Sequence, residues 1–513
     1  MNQFLRLWVA ALALWLGACS SLPPIQDRMA STAFTDTAHT RLGLALAPSL
    51  AQHAGQTGVL ALVDPRDAFV ARAVLAAMAE RSIDAQYYIW RDDEVGVLLF
   101  EALWDAAERG VRVRLLLDDH NTGGLDPTLA ALDAHPNIEV RLYNPVGLRG
   151  LRALNYLTDF SRVNRRMHNK SFTVDNQVSV VGGRNVGDEY FGAGGGMVFA
   201  DLDVTLVGPA VQQTSQAFDT YWNSASAYPA ALLLGRPDAA GAQTLQARIA
   251  ATRSSHAAKA YLEAVRVSPL ARQMQDRTAA LEWTTARILW DDPAKTLDPE
   301  TPRDDLLFPR LIESVGSPRQ RIDIVSPYFV PGEQGTAALA ALARRGVEVR
   351  ILTNSLASSD ASVVHAGYAR RRADLLRGGV RVYELKPGAE QDRDRNLGIG
   401  SSASTGLHAK TFAVDGERLF VGSFNFDPRS LLLNTEMGVV LDSPRLARAL
   451  GEAFDTTIPA GAYEVRLGED GASLVWIERG ADGPRTHATE PGTTWLQRSG
   501  VSVLAILPIE WLL

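Results

Sequence analysis

Cysteine and lysine are the two residue types that this sequence largely lacks. Cys19 is the only cysteine among 513 residues, so a disulfide framework and a cysteine-based metal site are both excluded. Lys and Arg together number 51, yet only five are lysines, so the chain carries 51 − 5 = 46 arginines. A net charge of −7 disfavours nucleic acid as a partner, and 46% apolar residues exclude intrinsic disorder. After the N-terminal segment, no run is long and apolar enough to cross a bilayer.

The first eighteen residues have the pattern of an export signal. Arg6 precedes an apolar run from Leu7 to Leu16, which is about half the roughly 20 residues that a spanning helix needs. Leu16-Gly17-Ala18-Cys19 resembles a bacterial lipobox, which implies lipidation of Cys19; an ordinary secretory signal is the alternative. Ser20 resembles the sorting residue of outer-membrane lipoproteins. We therefore expect an exported chain anchored to a bacterial membrane, at the periplasmic face of the outer membrane in preference to the inner one.

The chain contains an internal repeat. RGVRVRLL at 109–116 matches RGVEVRIL at 345–352, and IEVRLYNP at 138–145 parallels VRVYELKP at 380–387. The offsets are 345 − 109 = 236 and 380 − 138 = 242 residues. In each copy a strand leads into a helix that ends at a glycine, and a Val/Leu-rich strand follows. This alternation is typical of α/β units with a mostly buried sheet, so we predict two duplicated α/β domains.

The predicted organisation follows from this repeat and from composition. Its segments are a signal peptide (1–18), a tether (19–58), a first α/β domain (59–223), a helical connector (224–282), a second α/β domain (283–460) and a C-terminal extension (461–513). The extension is rich in tryptophan and ends in an apolar run. We expect it to dock on the core as a last strand or helix; a lipid-facing lip is the alternative.

Two motifs with identical internal spacing carry the candidate chemistry. Each has Lys two residues after His, Asp seven after it and Asn seventeen after it. With nine histidines and five lysines, chance predicts roughly 0.1 His-x-Lys pairs in a chain of this length. The two copies comprise His168, Lys170, Asp175 and Asn185, and His408, Lys410, Asp415 and Asn425.

These residue types suit displacement at a phosphodiester. One neutral imidazole serves as nucleophile and a second as acid for the departing alkoxide, while two lysines supply positive charge. Phosphate-binding donors are expected at Asn185, Ser423 and Asn425. Neither a paired carboxylate cluster nor His-x-x-x-His spacing is present, so no metal and no cofactor are expected.

The duplicated H-x-K-x4-D-x6-G-x-x-N pattern resembles the phospholipase D superfamily. Segments such as AQYYIWRDD (85–93), SPYFVP (326–331) and LHAKTFAVDGERLFVGSFNFDPRS (407–430) look like its cardiolipin synthase C branch. The resemblance covers roughly residues 60–513. It implies two domains with mixed sheets packed around a pseudo-two-fold axis, and one active site built from both motifs.

The resemblance also implies an activity and its partners. Members of this branch transfer a phosphatidyl group from one phospholipid onto phosphatidylglycerol, so we expect cardiolipin to form through a phosphohistidine. The donor is phosphatidylethanolamine or a second phosphatidylglycerol, and hydrolysis to phosphatidic acid is the alternative reaction. The expected partners are these lipids and a membrane surface. A monomer is expected, because both motifs lie in one chain.

The last expectations concern the roles of individual residues within the site. Each imidazole needs an orienting carboxylate on its other nitrogen. We assign Asp203 to His168 and Glu436 to His408, with Asp201 as the rival in the first half. The motif aspartates, Asp175 and Asp415, are grouped with the catalytic candidates, and their expected role is to hold the strand turn through backbone hydrogen bonds. By resemblance, the N-terminal histidine is the nucleophile and the C-terminal one is the acid.

A basic amphipathic segment precedes the first motif. Apolar residues recur there at a spacing of three, with arginines among and after them, so the segment could lie in a lipid interface and attract anionic headgroups. A solvated helix packed on the core is the alternative. The residues are Leu148, Leu151, Leu154, Leu157 and Phe160, with Arg149, Arg152, Arg162, Arg165 and Arg166. His120 and His365, at probable strand ends, are candidates for lining the cleft without a catalytic role.

Overall fold

A computed structural model describes residues 22–25, 28–194, 197–235, 239–276, 278–298, 300–359, 361–388, 405–480, 483–507 and 510. Within these ranges the chain forms two large mixed sheets, a small two-stranded sheet and the helices packed against them. The strands are β1 (Thr57–Leu62), β2 (Ser82–Tyr87), β3 (Arg112–Asp118), β4 (Ile138–Tyr143), β5 (Ser171–Val174), β6 (Val178–Gly182), β7 (Val198–Ala200), β8 (Asp203–Val207), β9 (Ala227–Pro229), β10 (Glu282–Thr284), β11 (Ala286–Trp290), β12 (Arg321–Val325), β13 (Glu348–Asn354), β14 (Arg381–Leu385), β15 (Thr405–Leu407), β16 (Thr411–Val414), β17 (Arg418–Gly422), β18 (Met437–Leu441), β19 (Ala462–Leu467), β20 (Leu474–Gly480) and β21 (Gly483–His487).

Helices connect most of these strands, and several begin with a side-chain cap. Asp64 and Asp93, for example, accept hydrogen bonds from N–H groups in the first turns of the helices Pro65–Met78 and Glu94–Glu108. No helix in the described ranges has the length and apolarity to cross a bilayer. The helices are α1 (Arg41–Gln52), α2 (Pro65–Met78), α3 (Glu94–Glu108), α4 (Asp126–Asp133), α5 (Asn155–Thr158), α6 (Phe160–Val163), α7 (Asp188–Phe191), α8 (Pro209–Trp222), α9 (Ala231–Leu234), α10 (Ala239–Ser254), α11 (His256–Arg266), α12 (Pro269–Gln275), α13 (Leu307–Val315), α14 (Gly332–Arg344), α15 (Ser362–Arg377), α16 (Pro428–Leu432), α17 (Pro444–Asp455), α18 (Thr457–Gly461) and α19 (Trp495–Ile506), with short 3₁₀ turns at Asp119–Asn121, Arg149–Leu154, Pro293–Thr296 and Arg303–Asp305.

The two sheets share one topology. The first has the strand order β10-β1-β8-β6-β5-β2-β3-β4-β9, and the second has β11-β18-β17-β16-β12-β13-β14-β19-β20-β21. In each, three central strands run parallel: β2, β3 and β4 in the first, and β12, β13 and β14 in the second. Their other neighbours pair antiparallel. Eight strands therefore correspond one to one, which confirms the predicted duplicated α/β fold with mixed sheets.

A hydrophobic core joins the two halves. Val204 and Leu206 from β8 pack in one buried cluster with Val439 and Leu441 from β18, and Ala409 between the motif residues belongs to the same cluster. The small sheet adds a second connection, because β7 of the first half pairs parallel with β15 of the second. The halves thus pack across a pseudo-two-fold axis, and the motif histidines lie at this contact.

The segments outside the two domains are more integrated than predicted. The tether (19–58) is not a free linker over its described part: Arg28 donates hydrogen bonds to Ser224 O and Ala227 O, and α1 follows it. The connector (224–282) contributes strands β9 and β10 to the first sheet. The extension (461–513) adds strands β19 to β21 to the second sheet and ends in α19, which packs on α15. Cys19 lies outside the described residues.

Candidate active site

The two His-x-Lys motifs meet where the halves touch. His168 and Lys170 directly precede β5, and His408 and Lys410 directly precede β16. Each motif is bonded to the opposite half, because the His168 N–H donates to Thr435 O at 2.8 Å and the His408 N–H donates to Ala200 O at 2.9 Å. Both histidines are only 7% exposed. The duplicated motifs therefore form one buried site that neither half could form alone.

The carboxylates that orient the histidines are exchanged between the halves. Nδ1 of His168 lies 2.8 Å from Oε2 of Glu436, and Nδ1 of His408 lies 2.5 Å from Oδ2 of Asp201. Both carboxylates are fully buried. A carboxylate on Nδ1 fixes the ring and leaves Nε2 for chemistry. Each half thus supplies a histidine and the carboxylate for its counterpart.

This geometry corrects the predicted assignment. Asp203 does not contact His168; its Oδ2 accepts a hydrogen bond from Arg72 at 2.9 Å, and its Oδ1 accepts one from the Arg184 N–H at 3.1 Å. Glu436 orients His168 rather than His408. The prediction paired each histidine with a carboxylate of its own half. In the structure each histidine contacts a carboxylate of the other half across the interface.

A signal in the sequence could have identified Asp201. In the first sheet Gly182 pairs with Asp203, and in the second Gly422 pairs with Gly438. This register aligns D-L-x-V at 201–204 with E-M-x-V at 436–439. Asp201 is therefore the counterpart of Glu436, and an alignment of the two halves at these strands would have favoured it over Asp203.

Both motif lysines are almost completely buried beside their histidines. Nζ of Lys170 donates to the backbone carbonyl of His168 at 2.5 Å, and Nζ of Lys410 donates to that of His408 at 2.6 Å. Burial is the largest cause that lowers the pKa of Lys170 well below its ordinary value. Amines held in a site closed to water interact strongly with a phosphate anion, because the local dielectric is low.

The motif aspartates have the structural role that was expected of them. Asp175 accepts backbone N–H bonds from residues 80–82, and Asp415 accepts them from residues 319–321. Both adopt positive φ angles, 51° and 54°, in the turns after their strands. Although desolvation raises the pKa of Asp415, the backbone hydrogen bonds hold it below its ordinary value. The two residues fix the strands that carry the motifs and do not touch the imidazoles.

The three predicted phosphate-binding donors have different surroundings. Ser423 is directed at a carboxylate: its Oγ donates to Glu436, and it accepts the Met437 N–H at 3.0 Å. Asn185 accepts the Ile89 N–H and donates to the hydroxyl of Tyr190, which leaves one amide hydrogen. Oδ1 of Asn425 is buried and has no hydrogen-bond partner among the described residues. Ser423 thus supports Glu436, and Asn185 keeps an amide hydrogen for a phosphate oxygen, whereas the unpartnered atom of Asn425 is an acceptor and not a donor.

Aromatic walls around the histidines were not predicted. Tyr88 meets His168 edge to face, with ring centroids 5.0 Å apart, and Nζ of Lys170 lies 5.5 Å from the Tyr88 ring centroid. Tyr190 and Phe199 each lie 5.1 Å from the His408 ring. Tyr88 lies in the segment AQYYIWRDD (85–93), which carries part of the family resemblance but had no role assigned to it. The rings of these aromatic residues exclude water from the two imidazoles.

The protonation states of the two half-sites differ. Desolvation, followed by the charges of Lys170 and Lys410, lowers the pKa of His168 well below its ordinary value. Desolvation and Lys410 lower the pKa of His408 to about 4, although Asp201 opposes this. Desolvation raises the pKa of Glu436 to about 7. The pKa of Asp201 is lowered to about 2, because His408 and Lys410 outweigh its desolvation.

The two remaining histidine candidates differ in position: His120 is next to the first half-site, whereas the contacts of His365 are with Glu490 and Tyr368. His120 stacks on Tyr88 at 6.3 Å, so it lines the first half-site as expected. His365 faces Glu490 of the extension, with Nε2 and Oε1 3.0 Å apart. In the part of the chain that the structure describes, no three His, Cys, Asp or Glu side chains are grouped as a metal ion would require.

A duplicated α/β fold with two buried His-Lys pairs, each imidazole held by a carboxylate, defines a class of enzymes that act on phosphodiesters through histidine. The family model described as "Cardiolipin synthase, PLD-like domain" matches residues 74–222 and 311–458. The chain belongs to this family, whose description names the phospholipase D-like domain that the motifs resemble.

Individual relatives agree with this membership. The chain is 49% identical to cardiolipin synthase C of Escherichia coli (strain K12) over 474 residues, which are 92% of this chain and 100% of the relative. It is 29% identical to cardiolipin synthase A of Pseudomonas aeruginosa (strain UCBPP-PA14) over 382 residues, 74% of this chain and 62% of that relative. The fold resembles the crystal structure of phosphatidylserine synthase from Haemophilus influenzae Rd KW20, with a TM-score of 0.53 and 14% identity over 82% of this chain and 91% of that one.

Proposed function

We propose that this chain is a phosphatidyltransferase that forms cardiolipin. It transfers a phosphatidyl group from one phospholipid, phosphatidylethanolamine or phosphatidylglycerol, onto a second molecule, phosphatidylglycerol. Membership of the family and the 49% identity to cardiolipin synthase C over nearly the whole chain support this activity. The observation that carries the mechanism is the crossed pair of histidine–carboxylate contacts, His168 with Glu436 and His408 with Asp201.

In the first step His168 attacks the donor. The lone pair on Nε2 of the neutral imidazole forms a bond to phosphorus, and the bond from phosphorus to the headgroup oxygen breaks with its electrons on that oxygen. His408 donates its Nε2 proton to this leaving oxygen. The strongly lowered pKa of His168 supports the role of nucleophile, because the attacking ring must be unprotonated. Desolvation and Lys410 lower the pKa of His408 to about 4, but the ionised Asp201 opposes this lowering and so favours the imidazolium form that the role of acid requires.

In the second step the acceptor completes the transfer. The glycerol hydroxyl of phosphatidylglycerol loses its proton to His408 and attacks phosphorus, and the bond to Nε2 of His168 breaks. Lys170 and Lys410 stabilise the phosphoryl oxygens in both steps, because their amines are held in place beside the histidines and a phosphate anion favours their charged form against the effect of burial. One histidine from each half makes a complete pair, so a monomer is sufficient.

We propose further that the enzyme is exported and anchored to a bacterial membrane through lipidated Cys19, with the outer membrane preferred. The sequence Leu16-Gly17-Ala18-Cys19 supports this anchor. Cys19 precedes Arg28, which is hydrogen-bonded to Ala227 at the first sheet, by 28 − 19 = 9 residues. Nine extended residues reach roughly 30 Å, so an anchored enzyme would remain close to the bilayer.

Product analysis tests the proposed activity. The purified protein is incubated with phosphatidylglycerol alone and with phosphatidylethanolamine plus phosphatidylglycerol, and lipids and released alcohols are identified by mass spectrometry. We expect cardiolipin with one equivalent of glycerol or ethanolamine, and the released alcohol identifies the donor. Phosphatidic acid as the sole lipid product would contradict the proposal and favour hydrolysis. The His168→Ala variant controls for contaminating enzymes.

A further inference from the structure

Two exposed apolar surfaces stand on the same side of the molecule as the catalytic pair. The first lip comprises Leu151, Leu157 and Phe160, whose exposures are 65%, 82% and 43%. The second lip is the outer face of α19, where Trp495, Leu496, Val503 and Ile506 are 67%, 63%, 62% and 81% exposed. Monomeric soluble proteins rarely expose large apolar side chains in such groups unless they form an interaction site.

The second lip is a continuous helix face. At 100° per residue, its four large apolar side chains lie within an arc of roughly 100°. Val501, Leu504 and Ala505 lie on the other side and pack toward α15. Arg498 is the single charged residue of α19, and it donates back to Thr493. The exposed face is thus uncharged and mainly apolar, with Ser499 within the same arc, which is typical of a helix that lies in a lipid interface.

The first lip is held at the carboxyl ends of β3 and β4. Arg149 and Arg152 contact Asp119, which directly follows β3. The side chain of Asn144, which directly follows β4, donates to Arg162 O and Arg165 O. The carboxyl end of β2 leads into Tyr88, which meets His168. The first lip therefore lies at the same sheet edge as the first half-site.

Aromatic contacts lead from this lip to the catalytic histidine. Phe160 meets Tyr156 at 6.4 Å between ring centroids, and the Tyr156 hydroxyl lies 2.8 Å from Nδ1 of His120. His120 in turn stacks on Tyr88 beside His168. A lipid headgroup that enters past the lip would thus meet a wall of rings that ends at the nucleophile.

The second lip lies at the equivalent edge of the second sheet. The start of α19 lies near the carboxyl end of β13. Gly492 just precedes α19, Ala357 follows β13, and a Cβ placed on Gly492 would be 3.3 Å from the Cβ of Ala357. At the other end of α19, Glu510 pairs with Arg371 and approaches Gly332. Because β13 corresponds to β3, the two lips lie on equivalent edges of the two halves.

The arginines beside the first lip are engaged inside the protein. Arg149 pairs with Asp119 and Asp126, Arg162 pairs with Asp159, and Arg166 pairs with Asp118. The sequence suggested that these cations attract anionic headgroups, but the charges of these three are paired with neighbouring carboxylates, and Arg165 donates to the backbone oxygens of Lys295 and Leu432. Contact through this surface is therefore apolar in character, with little dependence on lipid charge.

From these observations we propose that the two lips insert together into a lipid bilayer, one on each side of the catalytic cleft. The two lips bury their apolar side chains in the bilayer, so their binding to it does not depend on anionic lipid or on low salt. This proposal rests on the proposed function, since an enzyme that transfers phosphatidyl groups must receive its substrates from a bilayer. The proposal also agrees with the lipid anchor at Cys19. Arg28, which follows Cys19, bonds to Ala227 O, and the neighbouring Ser226 O accepts the N–H of Asn144 at the edge that carries the first lip.

Site-directed fluorescence tests the surface directly. The full mature chain with Cys19→Ser offers no other thiol, so Leu157→Cys and Ile506→Cys can each be labelled with an environment-sensitive fluorophore. Leu44→Cys is the matched control: Leu44 is 64% exposed, but its helix α1 contacts Glu80 before β2, at the opposite sheet edge. Vesicles of zwitterionic lipid carry a quencher in their acyl chains.

We expect quenching at positions 157 and 506 and not at 44, with no loss when salt is raised to 0.5 M, where ionic contacts are screened. The proposal is overturned if neither position is quenched, if position 44 is quenched equally, or if quenching requires anionic lipid and disappears in salt. Contact between labels on two copies in the absence of vesicles would instead indicate a dimer interface and would equally overturn it.

Activity separates this proposal from the proposed function. The double variant Leu157→Ser/Ile506→Ser should lose roughly tenfold or more in transfer on vesicles. The reason is that the variant removes two apolar side chains that would be buried in the bilayer. It should keep its activity on short-chain phospholipids that dissolve as monomers. Equal losses on both substrates would contradict the proposal. If the wild type formed no cardiolipin but the labels were still quenched, the proposed function would fail and the surface would stand.

Discussion

The two half-sites have the same plan but differ in the carboxylate that holds the histidine. His168 is oriented by a glutamate, which also accepts hydrogen bonds from Ser423 and Ser430. His408 is oriented by an aspartate, and Gly183 stands where the second half has Ser423. A Cβ on Gly183 would lie 2.2 Å from Oδ1 of Asp201. The glycine makes room for the shorter carboxylate, and the serine donates to the longer one.

This difference divides the work between the histidines. Glu436 has a raised pKa of about 7, so its negative charge is only partly present at neutral pH and stabilises a protonated His168 weakly. Asp201 has a lowered pKa of about 2 and is fully ionised, so it partly offsets the desolvation and the Lys410 charge that lower the pKa of His408 to about 4. The two identical rings therefore lie beside unequal carboxylates, and only His408 has a fully ionised partner to stabilise the proton that an acid must carry.

The largest effects should come from the histidines themselves. We expect His168→Ala to abolish transfer and to form no covalent adduct. His408→Ala should slow turnover by roughly 10²–10⁴-fold, the usual range for a general acid–base group, while still allowing an adduct with a good leaving group. Labelled phospholipid, acid quench-flow and peptide mapping measure the adduct. A label on the His408 peptide that survives His168→Ala would exchange the two roles.

The crossed carboxylates give the next largest effect. Glu436→Gln and Asp201→Asn should each lower kcat by roughly 10²-fold, because each removes the group that orients an imidazole and stabilises its charge. Asp203→Asn is the matched control two residues from Asp201. It weakens a buried ion pair with Arg72 and should lower the melting temperature while kcat per folded enzyme changes little. A large kcat loss in the control alone would restore the original assignment of Asp203.

Much of this comparison could be predicted from the sequence. The offset repeats predicted the duplicated fold, and the spacing from His168 to Asn185 predicted the paired motifs. Local patterns of this kind survive folding, because strands and turns follow from neighbouring residues. The structural role of Asp175 also followed from its place after a strand.

What the sequence did not determine is contact across the interface. The partner of His168 is Glu436, 436 − 168 = 268 residues away, and no periodicity within one half indicates such a pairing. Charge patterns were equally misleading for Arg149 and Arg162, because their carboxylate partners approach only in the folded chain. Tertiary contacts decide whether a polar side chain is free to bind a ligand or already engaged.

A steric change should test the space beside Asp201. Gly183→Ala places a methyl group against the Asp201 carboxylate and should displace it from His408, so we expect a loss of roughly tenfold in kcat. Gly150→Ala is a control at a solvent-exposed glycine with open space around its Cβ position. Steady-state kinetics and circular dichroism on both variants separate this effect from unfolding. An unchanged kcat in Gly183→Ala would mean that the position of Asp201 is not critical.

The smallest effect should be a shift in the pH profile that belongs to one half-site. Because the pKa of Glu436 is raised to about 7, its carboxylate is protonated as pH falls through that value, and transfer should decline below about pH 7. The Ser423 hydroxyl lowers this pKa by hydrogen bonding, so Ser423→Ala should move the acid limb to higher pH with only a few-fold loss at alkaline pH.

Ser179→Ala removes a buried hydroxyl that contacts Thr173 instead and should leave the limb in place. Asp201→Asn should also leave it in place, because the pKa of Asp201 lies near 2 and that group does not titrate in this range. If the limb follows Asp201→Asn rather than Ser423→Ala, the titrating group belongs to the other half-site and the inequality between the two carboxylates is reversed.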